Sequence, residues 1–453
     1  MTSSFSSSFS SPSSSFPDGR PLELALVSEH ASPLATLGGV DAGGQNVHVA
    51  QLAGALADRG HRVTVYTRCD DPGLPVRMPL RPGVTVHHVP AGPPEPVPKD
   101  ELLPYMEEFA RHLIAQWRSR PPGAAGDTAP DLVHAHFWMS GLASLWATRE
   151  TGLPLLQTYH ALGTVKRRHQ GDADTSPAGR VGCETDVGRG CDRVIATCRD
   201  EVDELAAMGV DRRKVDVVPC GVDPEVFRPD GPAAPRGPYT YRLLHLGRLV
   251  PRKGAAVAVT ALRRLPDTEL VVVGGPPADR AGGDPEVRRL RALAREAGVG
   301  ERVRLLGGVP AAAVPALMRG ADVVLCPADY EPFGIVPLEA MACGRPLVAS
   351  AVGGQLDSVA DGVNGRLVPP RDPEALAAAV AELLASAELR AVYGAAGRRR
   401  VLERFCWTRV AAATAASYLS VLGGRAGQAA RTPGDRHADR SPVGPAGRTP
   451  TGV

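Results

Sequence analysis

Lysine is scarce in this 453-residue chain: only Lys99, Lys166, Lys214 and Lys253 occur. Arginine supplies nearly all the other positive charge, so each lysine marks a place where a mobile point charge is kept beside many planar forks. The net charge of +2 argues against nucleic acid or an acidic membrane as an obligatory partner. No apolar run approaches the length of a membrane-spanning helix. The eight cysteines never fall in C-x2-C spacing, which argues against a zinc ribbon or a disulfide frame. They are expected as reduced, mostly buried thiols of a cytoplasmic protein. The first 17 residues lack the basic and apolar regions of a secretory signal. Residues 1–20, rich in serine, and 423–453, rich in glycine, proline and arginine, are expected to be disordered tails.

Between the tails, short apolar runs alternate with glycine-containing loops and helical spacing. L-E-L-A-L-V at 22–27 and R-V-T-V-Y-T at 62–67 read as buried strands, followed by runs at 84–88, 131–135, 154–158, 192–196 and 215–218. Residues 230–240, rich in proline and glycine, read as a linker. The pattern then restarts at 242–246, 269–273, 302–306, 322–326 and 346–349. The chain is therefore expected to form two doubly wound α/β domains, 21–229 and 241–404, facing a central cleft, with a last helix at 405–422.

The most informative stretch is E-P-F-G-I-V-P-L-E, from Glu331 to Glu339. Proline prevents a continuous helix, but Pro337 suits the first turn of one. Glu331 is then expected on a loop and Glu339 in the opening helical turn. The N–H groups of Gly334, Ile335 and Val336 lie between them at the positive end of the dipole. Two carboxylates can accept sugar hydroxyls while these amides face a phosphate. Further back, Gly43-Gly44 falls in the first strand-to-helix loop, where glycine lets the backbone approach a phosphate. G-R-L-V-P-R-K-G at 247–254 follows the first strand of the second domain. Its Arg248 and Lys253 suit a pyrophosphate. Asp172-Ala173-Asp174 is expected to be a pair of solvated acids in a polar loop, and no residues show metal-ligand spacing.

With these motifs in order, the chain resembles the family-four retaining glycosyltransferases of GT-B fold over residues 21–422. The resemblance rests on D-A-G-G-Q-N (41–46), V-H-A-H-F-W-M-S-G (133–141), T-Y-H-A-L-G (158–163), V-V-P-C-G-V-D (217–223), G-R-L-V-P-R-K-G and the 331–350 stretch. It implies that Arg248 and Lys253 bind the donor diphosphate, Glu339 the ribose and Glu331 the donor sugar, with Gly44 facing the phosphate. His160 would contact the transferred sugar. Within the family the chain is similar to the inositol-phosphate glycosyltransferases that begin mycothiol synthesis, and also to the sucrose-phosphate synthases. The first similarity implies an acceptor phosphate bound by Asn46, Lys99, Thr158 and Arg180. For Lys99 a solvated helix-start lysine is the alternative. Two departures stand out: Cys220 replaces the usual Asn of its turn, and Phe137 replaces a Tyr whose hydroxyl would reach the phosphate. The resemblance further implies a metal-independent enzyme without a cofactor, using a nucleotide-sugar donor and a phosphorylated polyol or sugar acceptor. A homodimer is compatible with it. A GT-B nucleotide-sugar epimerase is the alternative outside transfer.

Overall fold

The computed structural model describes residues 20–34, 43–118 and 129–430. Apart from Arg20, the expected N-terminal tail lies outside them, as do Asp41, Ala42 and residues 431–453. Two sheets form. The first comprises β1 (Glu23–Val27), β2 (Arg62–Arg68), β3 (Arg77–Arg81), β4 (Val84–Val89), β5 (Leu132–His136), β6 (Leu155–Thr158), β7 (Arg193–Ala196) and β8 (Val215–Val217). Its order is β3-β4-β2-β1-β5-β6-β7-β8. The second comprises β9 (Tyr241–Leu246), β10 (Thr268–Val273), β11 (Val303–Gly307), β12 (Val323–Cys326), β13 (Leu347–Ser350) and β14 (Arg366–Val368), in the order β11-β10-β9-β12-β13-β14.

Every strand expected from an apolar run forms, displaced by no more than one residue at either end. The continuous burial of strands such as β5 and β10 is what a parallel sheet covered by helices on both faces requires. Two strands carry no such signal. β3 is an exposed edge strand, the only antiparallel member among the described residues, with Pro79 inside it. Proline is tolerated there because an edge leaves some N–H groups unused. β14 has three residues and closes the opposite edge of the second sheet.

Strand order reverses between β1 and β5 in the first sheet and between β9 and β12 in the second. Loops leaving the carboxyl ends of such strands diverge and open a crevice. The loops before Gly44 and after β5 and β9 to β12 carry Gly43-Gly44, Phe137, Gly247–Gly254 and Glu331.

The chain crosses between domains twice, side by side. Val222 N–H donates to Phe405 O at 2.8 Å, and Val222 bridges to Cys406. The last helix begins at Trp407, after a π-helical turn at Val401–Phe405, and runs to Ala430. It therefore continues past 422, correcting the expected tail boundary. Gly423, Gly424 and Gly427 disfavour helix here, and Arg425 anchors the extension through Asp192 and Gly152 O. Its buried face, Trp407, Val410, Ala411, Ala415 and Tyr418, packs with Leu24, Leu26, Val49 and Leu52 of the first domain. Trp407→Ala should lower stability by about 3–5 kcal/mol in urea titration. An unchanged unfolding midpoint would contradict this packing role.

Candidate active site

The first motif of the second domain folds tightly because its glycine must. Gly254 has φ 77°, and a Cβ there would stand 1.9 Å from Pro327 O. That close approach, with Asp329 N–H donating to Arg252 O at 2.8 Å, clamps the loop after β9 to the loop after β12. Lys253 is thereby brought into an ion pair with Glu331. Burial alone would push the Glu331 carboxyl up, but Lys253, Arg252 and the Gly334 amide outweigh it, so it lies below its ordinary value. Burial draws Lys253 below its ordinary value despite Glu331. Arg248 is exposed at the mouth of the same loop.

Gly334 caps the helix Ile335–Ala342. Its N–H is directed to Glu331, so it is less available to a ligand than the sequence suggested. The amides of Ile335 and Val336, the first two of the helix, have no intrahelical acceptor. Glu339 lies in the second turn, not the first, because the helix starts at Ile335. Among the described residues its carboxyl has no hydrogen-bond donor, and burial pushes it up to about 8. A second tight contact was not singled out from the sequence. Gly353, after β13, has Glu331 O within 2.3 Å of where its Cβ would be, and Gly354 N–H donates to that oxygen at 2.8 Å. The Gly-Gly pair after a strand was the available signal.

Gly44 opens the helix Gly44–Ala57 of the first domain. A Cβ there would come 3.3 Å from Ile335 Cδ1 and 3.8 Å from Phe333. The two helix N-termini thus face each other across the cleft. Phe333 also reaches His160, ring centroids 5.0 Å apart. His160 follows β6 with φ 63°, a strained value for a non-glycine residue. It is buried and bonded through Nε2 to His136 Nδ1 at 2.9 Å. Burial lowers the proton affinity of His48, His134, His136 and His160, leaving all four neutral. Cys220, the departure from Asn, is buried and contacts His48 Nδ1 at 3.3 Å, so the substitution keeps a polar partner in this turn.

The four expected phosphate ligands of the acceptor divide. Asn46 is the internal brace of the first helix: its Oδ1 accepts from Gly43 N–H and its Nδ2 donates to Ser32 O. Thr158 is buried and donates its hydroxyl proton to Ile195 O at 3.0 Å. Thr158 therefore has no side-chain proton left for a ligand, whereas Asn46 uses one of its two amide protons. Lys99 is half-buried and opens a 3-10 turn after the proline-rich loop. Arg180 is buried, bonded to Glu184 (2.7 Å), Ser176 (3.1 Å) and Ala161 O (2.6 Å). Its guanidinium lies 5.2 Å from the Phe137 ring centroid, so Phe137, which lacks the hydroxyl of the family's Tyr, serves as a platform under it. Lys166 joins this cluster through Ser176 (2.8 Å), Asp174 (3.0 Å) and Asp100 (3.6 Å). Asp174 is therefore a paired acid, correcting the expectation of solvation; Asp172 is exposed. A scarce lysine beside an acidic triplet was the signal.

Because Glu339 keeps its proton in the native state well above the unfolded value, the folded chain binds more protons between these limits. Stability must then fall as pH rises through that window. Glu339→Gln should remove that loss. Its melting temperature relative to the native protein should climb between about pH 5 and pH 8. A constant difference would refute the half-buried, unpartnered carboxyl.

Comparison with known proteins agrees with this geometry. Residues 42–226 match the family described as Glycosyltransferase Family 4, and residues 237–400 match Glycosyl transferases group 1. The D-inositol 3-phosphate glycosyltransferase of Xylanimonas cellulosilytica is 39% identical over 412 residues, covering 88% of this chain and 96% of that protein. The enzyme of the same name from Acidothermus cellulolyticus is 38% identical, covering 80% and 83%. The sucrose-phosphate synthase structure from Thermosynechococcus elongatus superposes with a TM-score of 0.79 at 32% identity, covering 89% of this chain and all of that one. The Anabaena HepE structure with UDP and glucose shares the fold, with a TM-score of 0.67 at 19% identity over 88% of this chain and all of that one. With two parallel-sheet domains, these motifs at their switch points and relatives matched along most of their length, the chain belongs to the family-four glycosyltransferases of GT-B fold.

Proposed function

We propose that this glycosyltransferase moves a sugar, with retention, from a UDP-sugar such as UDP-GlcNAc to a phosphorylated polyol such as an inositol phosphate. The observation that carries this reading is the meeting across the cleft of Gly44 with Ile335 and Phe333, beside the Lys253–Glu331 pair and His160. An incoming diphosphate takes Lys253 and Arg248 together with the helix-terminal amides. Glu331 is then released to accept sugar hydroxyls, and Glu339, lacking a protein donor, accepts from the ribose. The names of the inositol-phosphate relatives support the acceptor class.

The bond from the sugar's anomeric carbon to the diphosphate breaks through an oxocarbenium-like state. The acceptor hydroxyl forms its bond on the same face, and its proton passes to the departing phosphate oxygen. Lys253, Arg248 and the helix dipole neutralise the leaving charge, the task a metal ion performs elsewhere. For the acceptor phosphate, Lys99 and Arg180 supply charge, while Asn46 and Thr158 fix the walls. A sugar phosphate is the second reading. The similarity to sucrose-phosphate synthase and the A-L-G-T-V-K-R-R-H run at 161–169 favour it.

Losing one hydrogen bond to a charged group costs about 1.5–3 kcal/mol, so Arg248→Ala or Lys253→Ala should lower kcat/KM by roughly 10- to 150-fold. Lys253→Ala also unpairs Glu331, so its melting temperature is measured alongside. EDTA should leave the native rate unchanged; full dependence on a divalent ion would overturn this charge assignment. Lys99→Ala should raise the acceptor KM with donor binding nearly unaffected, followed by mass spectrometry over a panel of donors and acceptors. Equal use of phosphorylated and neutral acceptors by the native enzyme would exclude the phosphate pocket.

A further inference from the structure

We propose that Arg68, gripping the proline-rich loop after β4, sets the position of Lys99 and hence the affinity of the acceptor pocket for a phosphate. The role of Lys99 rests on the proposed transfer reaction; the anchoring of its loop by Arg68 does not.

The loop from Pro90 to Pro98 cannot hold itself in place. Pro90, Pro93, Pro94, Pro96 and Pro98 bring no N–H, so its carbonyls outnumber its donors. Backbone carbonyls withdrawn from water need donors from elsewhere. Arg68 supplies them. It ends β2 directly opposite Val89, the last residue of β4, so its side chain starts level with the beginning of the loop. The residue is buried. Its Nη1 donates to Pro93 O at 2.6 Å and to Cys69 O at 3.1 Å, and its Nη2 donates to Glu95 O. One planar fork thus grips two loop carbonyls two residues apart, which a single ammonium could not match. Between β4 and these carbonyls, Gly92 turns beneath Tyr105. Its φ is 69°, and a Cβ there would stand 2.4 Å from that ring. Its N–H donates to Glu108 Oε2 at 2.8 Å.

The far end of the loop is tied to the acceptor cluster. Lys99 opens the 3-10 turn, and Asp100 beside it accepts from the Thr175 hydroxyl and lies 3.6 Å from Lys166 Nζ. Lys166 and Arg180 share the Ser176 hydroxyl, at 2.8 Å and 3.1 Å. Lys99 therefore stands between two fixed points, the fork of Arg68 and the cluster around Arg180. Without the fork, the turn that carries Lys99 is held firmly at one end only. Arg68 touches no substrate in this scheme; it is a positioning residue acting through Lys99.

The test compares the native enzyme with Arg68→Met, which keeps the aliphatic stem and removes the fork. The substrates are UDP-GlcNAc and inositol 3-phosphate. The KM for inositol 3-phosphate should rise about five- to fiftyfold, while that for UDP-GlcNAc stays within about twofold. An equal rise in both overturns the proposal, since a general loosening of the structure would produce it. In a Lys99→Ala background the same substitution should add little; effects that multiply in full overturn action through Lys99. Hydrogen exchange on the ligand-free, full-length protein reads the loop without any activity. Peptides over residues 91–102 should exchange faster in Arg68→Met, with those over β1 unchanged. Unaltered exchange over 91–102 overturns the anchoring. If Arg68→Met does not fold, Arg68→Lys, which keeps the charge and loses the fork, is judged by the same outcomes. Should the native enzyme transfer no sugar to inositol 3-phosphate, the proposed function fails, while hydrogen exchange still decides the anchoring.

Discussion

Trp407, Val410, Ala411, Ala415 and Tyr418 come from the far end of the chain, yet they lie in the core against β1 and the helix Gly44–Ala57. The first sheet cannot bury that face without them. The constraint reaches the candidate site, because the same helix supplies the hydroxyl that holds His134, and His134 in turn holds Thr158 under the turn that carries His160. Apolar packing and a short hydrogen-bond chain thus lead from the last helix to the strained turn at His160. The paired crossings at Val222 and Phe405 keep the domains in register at the point where the helix leaves one for the other.

Within the cleft, charge is kept in balance. Lys253 faces Glu331, Arg180 faces Glu184, and Lys166 faces Asp174 and Asp100. Buried charges persist only when paired, so these ion pairs hold the cationic side chains in fixed orientations. Glu339 is the exception. It stands without a donor, and burial keeps its proton on near neutrality.

Much of the fold was legible because parallel strands buried on both faces must be apolar throughout, and the chain marks each one with glycine-containing loops. β3 and β14 escaped because edge strands need no such pattern. The clamped loops of the second domain were legible for a related reason: Gly254, Lys253 and Glu331 each satisfy a local steric or charge requirement that only a few residue types meet. Residue type alone did not show which way Asn46 and Thr158 point, since a polar side chain serves equally as an internal brace or as a ligand. Phe137 was read as a lost hydroxyl, and only three-dimensional contact showed its ring beneath Arg180. The pairing of Lys166 with Asp174 depended on a helix and a turn folding back on each other, a contact no short window contains.

The two crossings also make the first folding unit discontinuous in sequence. A boundary drawn at the linker near 230 separates the sheets but not the cores, since the helix beginning at Trp407 belongs to the first core by packing and to the second domain by connectivity. During synthesis the N-terminal sheet emerges first, and domains generally fold as they emerge. Here that sheet must wait with one face uncovered until the second domain and the helix after it have been made. The domain that starts first is completed only after the second, and the histidines of its candidate site are fixed only then.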